Sequence, residues 1–269
     1  MRRAVMRRVG MRGTRVIGLA LLGAVLGFGL VVPLLTGDPM RQDLSATLLP
    51  PGAPGHLLGT DHLGRSMLAR LAHATRLSLG LAAATALCAA VPGLLLGLLA
   101  AWRRGWVERV LVGLADGVMA LPGLLLVLIF AAFAPGRFLP LYLGLSLAFW
   151  VEYFRLTRSV AGSVFARPQA EAARLLGLGP WHLLRHHLLP ELGPMLLTLL
   201  GFSAAAAVTA LSALAFVGIG LRPPTPEWGS MMTELLPYYE EGPWHVLMPG
   251  LLLAASVLGL QLAAGGRGT

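Results

Sequence analysis

The sequence predicts an all-α membrane protein of about six transmembrane helices. Hydrophobic residues make up 56% of its 269 positions and charged residues only 12%, about half the charged share of a soluble domain. The apolar residues are gathered into long runs, each roughly the length a bilayer core requires of a helix. A single soluble core could hide one such run, but not five or six. The third observation is where the charge lies. All 21 basic residues are Arg, and Arg2, Arg3, Arg7, Arg8, Arg12 and Arg15 stand directly before the first apolar run.

The first span is expected at Val16–Leu35. It is long for a signal peptide and no A-x-A-like cleavage pattern closes it, so it reads as a retained helix with a basic cytoplasmic N-terminus over residues 1–15. Further spans are expected at Leu77–Trp102, Val110–Phe133, Leu139–Phe154, Pro194–Val217 and Val246–Ala264. The fourth is short and holds Glu152 near its end. This layout puts 36–76, the turn at 134–137 and 218–245 outside. It puts 103–109, 155–193 and a tail over 265–269 inside. The internal loops carry Arg103, Arg104, Arg109, Arg155, Arg158, Arg167, Arg174 and Arg185, as the positive-inside rule requires. Within the spans, Gly93/Gly97 and Gly113/Gly117 have the spacing of close helix contacts.

Composition also excludes functions. The net charge of +9 is spent on membrane flanks and not on a nucleic-acid surface. The chain contains no Lys, which a P-loop needs to reach nucleotide phosphates; any ATP must be hydrolysed by a partner. Cys88 stands alone, so disulfides and cysteine-rich metal sites within the chain are excluded.

The internal segment around Glu171 is unlike a plain connector. Pro168 sits where helix starts tolerate it, and Pro190 is expected to stop the run. Glu171 lies near the N-terminal end, and Arg185, His186 and His187 near the other, in accord with the helix dipole. Gly177 would turn the helix midway. Read physically, this is a short helix-turn-helix at the cytoplasmic face, or an interfacial helix resting on lipid.

Glu171-Ala172-Ala173, three residues, Gly177, nine residues, and the closing His187-Leu188-Leu189-Pro190 resemble the EAA loop of bacterial ABC importer permeases. His187 departs from the usual Ile, but is similar to the His-Leu-Leu-Pro form of the dipeptide, oligopeptide and nickel branch. Leu58-Gly59-Thr60-Asp61-His62-Leu63-Gly64-Arg65 resembles the branch's Leu-Gly-Thr-Asp-x-x-Gly-Arg segment, with Ser66 where Asp is usual. Pro223-Pro224 followed by Trp228-Gly229-Ser230-Met231 resembles its external Pro-Pro-x-x-x-Trp-Gly-x-Met segment. The short tail lacks the usual Asn-Leu-Leu-Gly-Asp ending.

This resemblance implies a five-helix permease core over 77–264, in the inner membrane of a bacterium and without enzymatic activity or cofactor of its own. It implies an ATPase-coupling role for Glu171, Ala172, Ala173, Gly177, Leu189 and Pro190. Gly59, Asp61, Gly64, Arg65, Trp228 and Gly229 would form an external motif. The implied partners are a second, related permease, two ATP-binding subunits and an external solute-binding protein, and the implied cargo is peptide, nickel or a metal chelate. A self-sufficient carrier or channel is the alternative, with the loop then a passive interfacial helix.

Other residues have plainer readings. Asp116 is a possible intramembrane polar site, with pairing to an Arg near the cytoplasmic interface favoured. Asp61 with Arg65 is expected to brace the helix entering the second span. His56, His62, His73 and His245 lack the paired spacing of a metal site. Glu227, Glu234, Glu240 and Glu241 are expected to form a solvated face.

Overall fold

The computed structural model describes residues 2–133 and 136–265, all helix and connecting loop; among them there are only two isolated bridges and no strand. The side chains of Arg2, Arg3, Arg7, Arg8, Arg12 and Arg174, and the tail from residue 266, lie outside the described part. In chain order the helices are α1 (Arg2–Leu35), α2 (Met67–Arg103), α3 (Gly105–Met119), α4 (Gly123–Phe133) and α5 (Phe138–Phe165). They continue with α6 (Pro168–Leu175), α7 (Pro180–Leu183), α8 (Leu189–Phe216), α9 (Trp228–Leu235) and α10 (Trp244–Gly265).

Four helical stretches are long and apolar enough to cross a membrane: Gly13–Leu35, Met67–Arg103, Pro180–Phe216 and Trp244–Gly265. The pair α3 and α4 meets the same test only when taken together, and is bent by 81° at the short break between them. Pro122 explains the break, since a proline disfavours helical backbone at the residue before it. The residues of the third expected span are therefore divided between two helices. The fourth, α5, has 28 residues, ample length to span. However, Glu152, Arg155 and Arg158 dilute its hydropathy, so it is not among the apolar spans.

The helices meet through small residues. A Cβ on Gly93 would lie 2.5 Å from the Tyr153 Cβ, and one on Gly97 2.7 Å from the Phe154 carbonyl oxygen; α2 and α5 thus touch backbone to backbone. Gly113 and Gly117 have nothing within 4 Å, so the second Gly pair is not a contact. At Gly18, α1 meets Leu262 and Ala263 of α10. Apolar side chains are free to point outward: Leu87, Val91, Leu95 and Leu99, four apart on α2, are all exposed, forming a stripe suited to lipid.

Two starts and stops differ from the sequence expectation. Helix α2 begins ten residues before Leu77, because Ser66 caps it by accepting from the Ala69 amide; Arg70 and Arg76 are helical and not in a loop. Pro190 does not end a helix. The residues before it widen into a π-helical turn, Leu184–Leu188, in which the Leu189 amide donates to the Leu184 carbonyl. That extra residue per turn absorbs the bond a proline cannot make, and the helix runs on into α8.

Candidate functional site

The two motif segments are locked together by a buried ion network. Asp61 accepts from the amides of Leu63 and Arg65, both at 2.9 Å, and from the Arg65 Nε at 2.6 Å. Arg70 also donates to Asp61, and Arg65 donates to Glu234 of α9. The second arm of Arg70 reaches Glu234 at 2.5 Å. Asp61, Arg65 and Arg70 are each at most 1% exposed. Such charges are tolerable only because each faces an opposite charge with good hydrogen bonds. Burial pushes the Asp61 and Glu234 carboxyls up, but the Arg70 and Arg65 charges and hydrogen bonds outweigh it and hold both below their ordinary values of 3.8 and 4.5. His62 stacks on Tyr238 with ring centroids 4.9 Å apart and its Nε2 3.8 Å from Glu234.

The remaining external motif residues are positional. Gly64 has φ +70°, and a Cβ there would strike the Asp43 carbonyl, so only glycine closes this turn. Gly59 lies against Leu49 and Pro50 in the same way. Trp228 is fully buried beside Met67, Met231 and Leu235. Gly229 lets α9 rest on the backbone of Ser212 in α8. Two external acids are not solvated as expected. Glu227 is 4% exposed; it caps α9 through the Ser230 amide at 2.9 Å and accepts from the Ser212 hydroxyl at 3.0 Å. Glu234 belongs to the ion network.

At the far end of α2, near Ala101, α6 carries Glu171 and Ala172 outward while Ala170 and Ala173 are buried against Val164, Phe165, Leu183 and Leu188. Gly177, at φ +72°, turns the chain toward α7. The helix-turn-helix expected here is present. Leu189 and Pro190 are exposed. So are Leu175 and Leu176, within the Glu171–Gly177 stretch, and Trp181, which sequence reasoning missed, exposed by 85%, 77% and 69%. The signal for Trp181 was an aromatic residue at the polar end of a span. Arg167 steadies the segment with a bidentate pair to Glu191 at 2.7 and 2.8 Å. Asp116 is paired, with Arg155 of α5 at 2.6 Å and not with Arg109.

Residues 93–265, most of the chain, match the family model described as binding-protein-dependent transport system inner membrane component. The chain belongs to that family. As a member it is the permease subunit of an ABC transporter, a multi-pass inner-membrane protein whose ATP hydrolysis resides in partner subunits and whose system includes a binding protein. Its relatives agree. It is 37% identical to the di/tripeptide transport system permease protein DppC of Pseudomonas aeruginosa, over 85% of this chain and 77% of that protein. To the dipeptide transport system permease protein DppC of Haemophilus influenzae it is 30% identical, over 93% and 87%. Among solved structures, a chain of the inward-facing MetNI methionine ABC transporter superposes with a TM-score of 0.57 at 18% identity. That likeness covers 74% of this permease and 94% of that chain, and shows the fold.

Proposed function

We propose that this permease subunit carries short peptides inward, paired with a second, related permease. The observation that carries the cargo is its identity to di/tripeptide and dipeptide permeases along most of its length. Nickel and metal chelates have no comparable support.

Coupling runs through α6 and α7. The exposed Glu171 and Ala172, with Leu175 and Leu176 beside them, form a mixed acidic and apolar surface outside the spans, and Trp181 continues it at the start of the span Pro180–Phe216. Exposed apolar groups of that size call for a partner, and the ATP-binding subunit is the partner this family supplies. Gly177 sets the angle between the two short helices. Leu189 and Pro190, at the start of α8, pass movement of this segment into a span. ATP-driven closure of the ATPases then switches two packed helix bundles between inward- and outward-facing arrangements. On this reading the N-terminus and its Arg cluster lie in the cytoplasm. The loop 36–66 and α9, joined by the Asp61–Arg65–Arg70–Glu234 network, face the binding protein on the other side.

The test is uptake of a labelled tripeptide by proteoliposomes holding the copurified complex with its binding protein. ATP-dependent accumulation supports the proposal. Uptake of nickel or chelate but not peptide overturns it.

A further inference from the structure

Glu152 is exposed on α5 and, among the described residues, has neither an ion pair nor a hydrogen bond. Its neighbours are already committed: Arg155 holds Asp116, and Arg158 holds Glu108 at 2.7 Å. Its depth is fixed by α2. Tyr153 meets Gly93, which lies ten residues, or about 15 Å of helix, inside Arg103 at the cytoplasmic end. An acid at that depth is too costly to leave facing lipid, and such residues face a water-filled cavity or a partner.

A cavity of about 690 Å³ lies on the same face. Its wall mixes small residues such as Gly123, Ala148 and Ala206 with the larger Phe149 and Phe202, and its polar groups are Thr209 and Gln261. Ala148 is one turn before Glu152, and Arg155 is one turn after it, so all three share one stripe of α5. Gly123 stands 3.6 Å from the Ala148 Cβ, while Asp116 pairs with Arg155. Glu152 therefore sits at the level of the break between α3 and α4. The cavity wall has no charged residue, and the Gln261 amide has no partner among the described residues.

We infer that Glu152 holds the α-ammonium group of the peptide as it leaves this cavity for the cytoplasm. This rests on the peptide reading above. Peptides of varied side chains share only their backbone and its two charged ends. An uncharged wall of small and apolar residues with two neutral hydrogen-bonding groups accepts the variable parts. One uncompensated carboxylate, a turn beyond Ala148 toward the cytoplasm, selects the end that carries positive charge.

The experiment uses the assembled transporter with its ATPases, second permease and binding protein. In a Cys88→Ser background, which removes the exposed native thiol, Glu152→Cys is treated with a membrane-impermeant thiol reagent. Trialanine uptake is measured separately for Glu152→Gln and Glu152→Asp. We expect the thiol to react and trialanine to slow its labelling. We expect Glu152→Gln to lower uptake about tenfold, the size of one charge-assisted hydrogen bond, with Glu152→Asp within threefold of wild type. A thiol inert in every state overturns the site, because Glu152 would then be covered by the second permease. Glu152→Gln uptake within twofold of wild type overturns it too. If the wild-type complex takes up no trialanine, the peptide reading itself fails, and the site with it.

Discussion

The Nη2 of Arg70 donates to the Oε2 of Glu234 at 2.5 Å, joining residues 164 positions apart. One guanidinium thereby ties the start of α2 to α9, and through its other arm to the loop carrying Asp61. The loop, the start of α2 and α9 form a single braced unit.

Removing that brace is expected to be costly. Arg70→Met leaves the buried Asp61 carboxylate short of a counter-charge, a loss of about 3–5 kcal/mol for a broken buried pair. Thermal unfolding of the purified complex in detergent, followed by tryptophan fluorescence, checks it. An unchanged melting temperature would contradict the network's structural weight.

The same network sets a pH response. Asp61 and Glu234 have folded-state pKa values below their ordinary 3.8 and 4.5. A depressed carboxyl contributes stability that is present above its unfolded pKa and is lost as pH falls through its folded one. Hydrogen-exchange protection of α9 should therefore be flat from pH 8 to 5 and collapse only below about pH 4. Loss of protection between pH 7 and 6 would point to His62 instead.

The α2–α5 contact is expected to tolerate no bulk. Gly93→Val places methyl groups into the Tyr153 Cβ and the Trp150 carbonyl, at 2.5 and 2.6 Å from the new Cβ. Overpacking of this kind costs about 1–3 kcal/mol. Gly113→Val, with open space around it, should leave stability within about 0.5 kcal/mol, as surface changes do. Melting temperatures of the two variants provide the comparison.

Coupling should separate from folding. Glu171→Lys alters an exposed side chain with no partner among the described residues, so insertion and melting should not change. ATPase copurification and peptide-stimulated hydrolysis should fall at least tenfold. Full retention of both would remove Glu171 from the coupling surface.

Much of this architecture was legible in the sequence because its causes are local. Apolar runs marked the spans, and Pro168, Gly177 and the spacing of Glu171 marked the cytoplasmic helix-turn-helix. What was hidden depends on distant partners. Glu227 and Glu234 look like solvated acids until α9 folds onto Ser212 and Arg70. The identity of the Asp116 partner as Arg155, 39 positions away, has no local signature either. The break at Pro122 was readable in principle, since a proline inside an apolar run weakens the helix before it. The through-running helix at Pro190 was not, because a π-turn supplies the missing bond. The broad uncharged wall beside Glu152 emerges only when α4, α5, α8 and α10 are brought together.

This chain is expected to move peptide only as part of an ATP-driven assembly. The most direct test is uptake of a labelled dipeptide or tripeptide into proteoliposomes containing the chain alone, or the complex copurified with it. The chain alone should be inactive, and the complex should accumulate peptide only with ATP and the loaded binding protein. Peptide transport by the isolated chain, without ATP, would contradict it.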